Sequence, residues 1–209
     1  MQRPRRGLAT VVVCLLVGTA GNVSVRDGDR VAVTGTGVVL GDCTAGDVTV
    51  VSLDGRVLDG SLVPTSELDL HLGVYAATDA AAVVHTHAPY STAVACVLDE
   101  LPVLHYQHLL LGGATRVAPY ATFGTPELAR AVVAALAGRQ AVLMANHGSV
   151  AVGATLDQAV ENALLLEWLA TLHHRATALG TPHVLTEEEQ SDVITQAISR
   201  NYGTQQENP

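Results

Sequence analysis

The sequence predicts an α/β fold, a three-layer α/β/α sandwich with helices on both faces of a central sheet. Three observations carry that reading. Short β-branched runs recur through the middle of the chain, helices with their own start signals lie on either side of them, and the composition suits one core. Of 209 residues, 48% are apolar and only 15% charged, enough for one substantial core, so residues 1–209 are read as a single domain.

In chain order, Val31–Thr36, Val48–Ser52 and Arg56–Leu58 are β-branched runs separated by Gly and Asp, the pattern of antiparallel hairpins. Leu68–Ala77 reads as a helix ending near Thr78-Asp79, and Ala81–His87 as a buried strand. Ser91–Val97 follows as a short helix and Val103–Tyr106 as a further strand. Pro126–Leu136 is a helix capped by Thr125, with Pro126 at the first position, where its missing N–H costs nothing. A strand over Gln140–Ala145 precedes a long helix, Leu156–Leu179, opened by Thr155-Leu156-Asp157-Gln158. Thr186-Glu187-Glu188-Glu189 has the capping-box pattern and starts a final helix.

The chemistry gathers at three places. His85 and His87 are two apart, so in a strand both project from one face, roughly 6.6 Å apart along the backbone, and both can reach one ion. His147 ends the apolar run Ala141–Ala145 and precedes Gly148, which lets the backbone turn close to a bound group. Glu67 lies in Pro64-Thr65-Ser66-Glu67-Leu68, where Thr65 or Ser66 can cap a helix and the carboxylate occupies its first turn. Three imidazoles and a carboxylate are the donors of a catalytic zinc site. Each feature alone also has an ordinary explanation: a buried histidine, or an acid favoured at a helix start.

The order of Thr19-Ala20-Gly21-Asn22-Val23-Ser24, Thr36-Gly37, Thr65-Ser66-Glu67, His85-Thr86-His87, Tyr120-Ala121-Thr122-Phe123-Gly124-Thr125 and Asn146-His147-Gly148 resembles the class II (zinc) sugar-phosphate aldolase family, which shares its fold with adducin. The match runs across nearly the whole chain. Glu67 and the stretch Ala118–Thr125 are similar to members acting on L-fuculose 1-phosphate, whereas pentulose-phosphate 4-epimerases usually have Asp at that acidic position. The resemblance implies a mostly antiparallel central sheet. It also implies a zinc ion held by Glu67, His85, His87 and His147, and reversible retro-aldol cleavage to dihydroxyacetone phosphate and L-lactaldehyde.

Glu67 would be the general acid or base. Tyr106 matches a proton donor contributed by a neighbouring subunit, the residues alone fitting a core tyrosine equally well. Asn22, Thr36, Gly37, Thr65 and Ser66 match phosphate-binding positions, although Gly, Thr, Ser and Asn are also ordinary turn residues. Phe123 and Tyr202 match the aldehyde pocket. A homotetramer with active sites between subunits is expected. Thr65 replaces a more usual Ser, and Gly35 a Pro often found before Thr36-Gly37. The resemblance leaves pentulose-5-phosphate 4-epimerisation, or dehydration or decarboxylation of a sugar phosphate on the same scaffold, as alternatives. A non-catalytic adducin-like module typically lacks the ligands present here.

A net charge of −9 and a pI near 5.3, without a basic stripe, argue against a nucleic-acid partner. Cys14, Cys43 and Cys96 are odd in number and far apart, so they read as reduced residues of a cytoplasmic protein. Arg3, Arg5 and Arg6, the apolar stretch Leu8–Val17 and Gly18-Thr19-Ala20 together look like a secretory signal. Cleavage after Ala20 would cut the loop that the resemblance assigns to phosphate, so the stretch is read as a helix feeding that loop. Even counted through Ala20, at about 13 residues, it is too short to span a bilayer, and no membrane partner is expected. His71, one turn after Glu67, could orient it or serve packing or a cap. His105, His108, His173, His174 and His183 have no ligand spacing with the main site.

Overall fold

Every residue of Ala82–Thr86 is buried, as expected of a strand covered on both faces. This is β5, and the rest of the sheet is built around it. The computed structural model describes Leu15 and residues 18–200. Among the described residues the other strands are β1 (Asn22–Asp27), β2 (Arg30–Thr34), β3 (Val48–Ser52), β4 (Val57–Asp59), β6 (Glu100–Leu101), β7 (Thr115–Ala118), β8 (Ala141–Met144) and β9 (Gly148–Gly153). They line up as β4-β3-β2-β1-β5-β9-β8-β7-β6. Every pairing is antiparallel except β7 with β8, so the mostly antiparallel sheet is borne out.

Four described helices cover this sheet, α1 (Leu68–Ala77), α2 (Pro89–Ala95), α3 (Pro126–Leu136) and α4 (Leu156–Leu179), and a fifth, α5 (Glu187–Ser199), packs outside it against residues 106–111. Strand side chains alternate between faces, and the core divides accordingly. Val83, Val142, Met144, Val150 and Val152 pack with Leu70 and Val74 of α1 and Leu128 and Val132 of α3. Ala82, Val84, Ala141, Leu143 and Ala151 pack on the other side with Val94 of α2 and Ala163, Leu166 and Leu169 of α4. The three layers follow from that alternation.

The strand expected over Val103–Tyr106 does not form. β6 is only two residues long, and Pro102 after it has no N–H to continue a ladder. The chain leaves the sheet, and Tyr106–Leu111 winds into a 3₁₀ turn. His105 Nδ1 accepts the Gln107 N–H at 3.3 Å at its start, and Gly112 ends it at φ 93°. The leading helix expected over Leu8–Val17 lies, apart from Leu15, outside the described residues. No described helix is long and apolar enough to cross a membrane.

Candidate active site

Strand register brings the histidines together. Asn22 lies opposite His85 across β1 and β5, and on the other side of β5 Thr86 lies opposite Ser149 of β9. The β8–β9 hairpin pairs Met144 with Gly148, leaving Ala145, Asn146 and His147 as its loop. Asn146 sits at φ 55°, a left-handed conformation that Asn sustains more readily than most residues. The hairpin thereby delivers His147 beside His85 and His87. His87 falls one residue beyond the end of β5 rather than within the strand as expected, yet it meets its partner: the two Nε2 atoms are 2.9 Å apart. The ring centroids of the three histidines lie 4.8, 5.0 and 4.9 Å from one another, all edge-on, and their ligating atoms fall within 4.8 Å.

Glu67 completes the group. It is the N-cap residue of α1 rather than a residue of its first turn, and its N–H donates to Thr65 Oγ1 at 3.3 Å. Its Oε2 lies 2.8 Å from His85 Nε2 and its Oε1 3.4 Å from His147 Nε2. Oε1 is buried without a hydrogen-bond partner among the described residues.

Proton accounting shows what the group needs. His85 Nδ1 faces the Ser149 carbonyl at 2.9 Å, an acceptor, so Nδ1 carries a hydrogen. In a neutral imidazole Nε2 then has only a lone pair, which points at a carboxylate oxygen and at another imidazole nitrogen. A proton on Nε2 or a shared metal ion satisfies the contact with Glu67, and the convergence of His87 and His147 on the same point suits the metal ion. Three imidazoles and one carboxylate, with a carbonyl fixing one ring from behind, fit a zinc ion or a similar divalent metal.

The electrostatics agree. Burial raises the Glu67 pKa, but the hydrogen bond with His85, attraction to His85 and His147, and the Asn22 amide outweigh it and bring it down to about 2. Burial, followed by the neighbouring histidines, lowers His87 to about 4 and lowers His147 as well. Both rings are therefore neutral near pH 7, the state in which imidazole binds metal.

These residues form the floor of a cleft of about 380 Å³. One wall is the loop Thr19–Asn22; another is made where β2 ends. Thr65 N–H donates to Thr34 at 3.1 Å and Thr36 N–H to Val63 at 2.9 Å, which sets Thr36 and Gly37 beside Thr65 and Ser66. Ser66 and Glu67 stand at the N-terminus of α1, where the helix dipole favours an anion. Among the described lining residues there is no Lys or Arg, and Glu67 is the only carboxylate.

The cleft thus gathers Asn22, Thr36, Gly37, Thr65, Ser66, Glu67, His85, His87, His147 and Phe123. Tyr106 is not among its lining residues. It stacks on His105 and lines a separate apolar groove with Leu110, Ile194 and Ile198. Tyr202 lies outside the described residues. Tyr120 and Asn146 also line the cleft. Both stand in quoted motifs, but only the folded hairpin shows why Asn146 belongs there. Arg116 and Arg139 lie far from this chemistry. Arg116 donates to the carbonyls of Ala135 and Ala137 at the end of α3, and Arg139 to Ala114 and Gly138.

The family model for the class II aldolase and adducin N-terminal domain matches residues 14–174. The chain belongs to that family. The aldolase is 40% identical, over 179 residues covering 85% of it and 80% of the relative, to a 5-methylthioribulose-1-phosphate/5-deoxyribulose-1-phosphate aldolase of Rhodospirillum rubrum. It is 37% identical over 188 residues, 89% of its own length and 86% of the other's, to an L-fuculose phosphate aldolase of Escherichia coli strain K12. A solved L-fuculose 1-phosphate aldolase superposes with a TM-score of 0.84 at 33% identity, covering 93% of this chain and 97% of that one. The protein is an enzyme of the class II aldolase type, a carbon–carbon lyase.

Proposed function

We propose that this aldolase cleaves a ketose 1-phosphate to dihydroxyacetone phosphate and a short aldehyde, with His85, His87, His147 and Glu67 holding a zinc ion. The observation that carries the reading is the convergence of His85, His87 and His147, with ligating atoms within 4.8 Å of one another, on Glu67 inside a cleft walled by neutral donors. When bound, the ion supplies Lewis-acid stabilisation of negative charge on the substrate's C2 oxygen.

The chain's own groups do the rest. Asn22, Thr36, Gly37, Thr65 and Ser66, with the start of α1, bind the phosphate and fix the C1 end. As the C3–C4 bond breaks, the C4 hydroxyl gives up its proton and the electron pair passes toward the C2 carbonyl. Glu67, the cleft's one described carboxylate, takes up a proton from solvent and delivers it to C3. Tyr106, supplied by a neighbouring subunit because it lies outside the cleft of its own chain, takes the C4 hydroxyl proton as its phenolate and releases it to solvent; in the reverse direction the phenol gives that proton to the aldehyde oxygen. The active form is accordingly a homotetramer of the cytoplasm. Phe123, at the cleft rim and 65% exposed, contacts the aldehyde half, and Tyr202 is assigned to the same half by the resemblance alone.

The aldehyde distinguishes the two sets of relatives. L-Fuculose 1-phosphate would release L-lactaldehyde, 5-deoxyribulose 1-phosphate acetaldehyde, and 5-methylthioribulose 1-phosphate methylthioacetaldehyde. All three share the dihydroxyacetone phosphate half that the cleft floor addresses. The 40% identity to the Rhodospirillum rubrum enzyme widens the expected substrate from L-fuculose 1-phosphate to ketose 1-phosphates with a deoxy or thioether terminus. Release of dihydroxyacetone phosphate from each of the three, before chelation, after it and after zinc return, tests the proposal. Chelator-sensitive release from one or more supports it; a zinc-loaded protein inert toward all three overturns it.

A further inference from the structure

Glu67, His71 and Tyr75 lie on one face of α1, and Asn22 and Ser24 on one face of β1. The two faces interleave into a single buried row. Tyr75 Oη is 2.7 Å from Ser24 Oγ, and Ser24 Oγ 2.6 Å from His71 Nδ1. His71 Nε2 is 2.5 Å from Asn22 Oδ1, and Asn22 Nδ2 is 3.4 Å from Glu67 Oε2. His71 is fully buried and Ser24 and Tyr75 nearly so.

The row has a direction, and the carboxylate sets it. Ionised Glu67 only accepts, so Asn22 turns its NH₂ group toward it and its carbonyl oxygen away. That oxygen also only accepts, so His71 must carry its hydrogen on Nε2. Nδ1 then has a lone pair and accepts the Ser24 hydroxyl, whose oxygen accepts the Tyr75 hydroxyl. In the reverse sense Asn22 would press a carbonyl oxygen against the carboxylate.

We propose that His71 is a positioning residue, which through this one-way chain holds the Asn22 amide with its N–H groups toward Glu67 and the cleft, and so fixes where the Glu67 carboxylate stands among the three histidines. The role rests on the reading of Glu67 as the working carboxylate. A row of polar groups this deep is costly unless every member is satisfied, and matched apolar side chains would fill the same layer without that demand. Only Asn22 and Glu67, at one end of the row, reach the cleft. The other three act through them.

The first test is the tautomer of His71 by ¹⁵N-resolved NMR of the unsubstituted protein without added metal. The Nε2–H form is expected, and the Nδ1–H form overturns the proposal. The second test compares His71→Gln with His71→Asn in zinc titrations of the dialysed proteins. The Gln amide reaches the place of Nε2 and can still donate to Asn22; the Asn amide ends near Nδ1 and cannot. Zinc affinity should stay within about 3-fold of the parent in His71→Gln and fall about 10- to 100-fold in His71→Asn. Equal losses in both, or none in either, overturn the role. Neither readout needs turnover, so an inactive protein that passes both refutes the aldolase reading and leaves the positioning role standing.

Discussion

Gly148 and Thr86 approach so closely that a Cβ on Gly148 would lie 2.3 Å from the Thr86 carbonyl oxygen and 3.1 Å from His87 Cδ2. Both contacts are with groups that place the histidines. Gly148→Ala must therefore push β9 away from the end of β5 and shift His147 relative to His87. The expected cost is about 1–3 kcal/mol of stability, as for other overpacked interiors, together with loss of bound zinc. Denaturant unfolding and metal analysis check the two halves separately. A variant with unchanged zinc content would show that the close approach does not set the site.

Glu67 is the only carboxylate among the described residues of the cleft, and its low pKa leaves it ionised near pH 7, ready to take up the proton that it delivers to C3. Glu67→Gln keeps the shape and removes the acid–base function. We expect kcat to fall by about 10²–10⁴-fold while the three histidines still retain much of the zinc. His87→Ala should instead abolish bound metal. Steady-state kinetics beside metal analysis separates these outcomes, and a Glu67→Gln protein with full turnover would rule out the assigned role.

Legibility in the sequence followed how local each signal was. Caps and prolines marked the start of α3 at Thr125-Pro126 and of α5 at Thr186, because a helix end is decided within four residues. His85, His87, His147 and Glu67 were readable as donors, and the fold does bring them together. β1, β7 and β9 were not anticipated as strands. Asn22-Val23-Ser24 reads as loop chemistry, and Gly148–Gly153 begins and ends in glycine; both become strands through pairing with β5, a long-range event. Val103–Tyr106 fails for the opposite reason, since a suitable local pattern finds no partner strand. The row from Tyr75 to Glu67 was visible only as a Glu–His spacing on a helix. Its strand half emerged with the register of β1.

His108 supplies a pH dependence away from the metal site. It is fully buried, with Nε2 2.8 Å from Thr115 Oγ1. Burial lowers its pKa from 6.5 to about 4, the Pro102 carbonyl opposing and Arg139 assisting. A lowered histidine pKa means that the unfolded chain takes up the proton first as pH falls. Stability is then complete above about pH 6.5 and is lost between 6.5 and 4. The span corresponds to a loss on the order of 3 kcal/mol. Urea unfolding of chelated protein at pH 7 and pH 4.5, compared with His108→Gln, isolates the contribution. The variant should lose less stability over that interval than the parent; equal losses would contradict the assignment.

Tyr106 offers the sharpest test of sites shared between subunits. It lies beside Leu110, Ile194 and Ile198 in its own chain, away from the cleft that holds Glu67. If it serves a neighbour, Glu67→Gln and Tyr106→Phe damage complementary halves of each site. Either variant alone is expected to lose about 10²-fold or more in kcat. Co-refolding the two in equal amounts should restore activity, because about a quarter of the sites in randomly mixed symmetric oligomers take both intact residues. Mixtures no more active than the separate variants would place Tyr106 outside the reaction or confine each site to one chain. Gel filtration of the mixture distinguishes failed assembly from assembled but inactive oligomers, so the result bears on the residue itself.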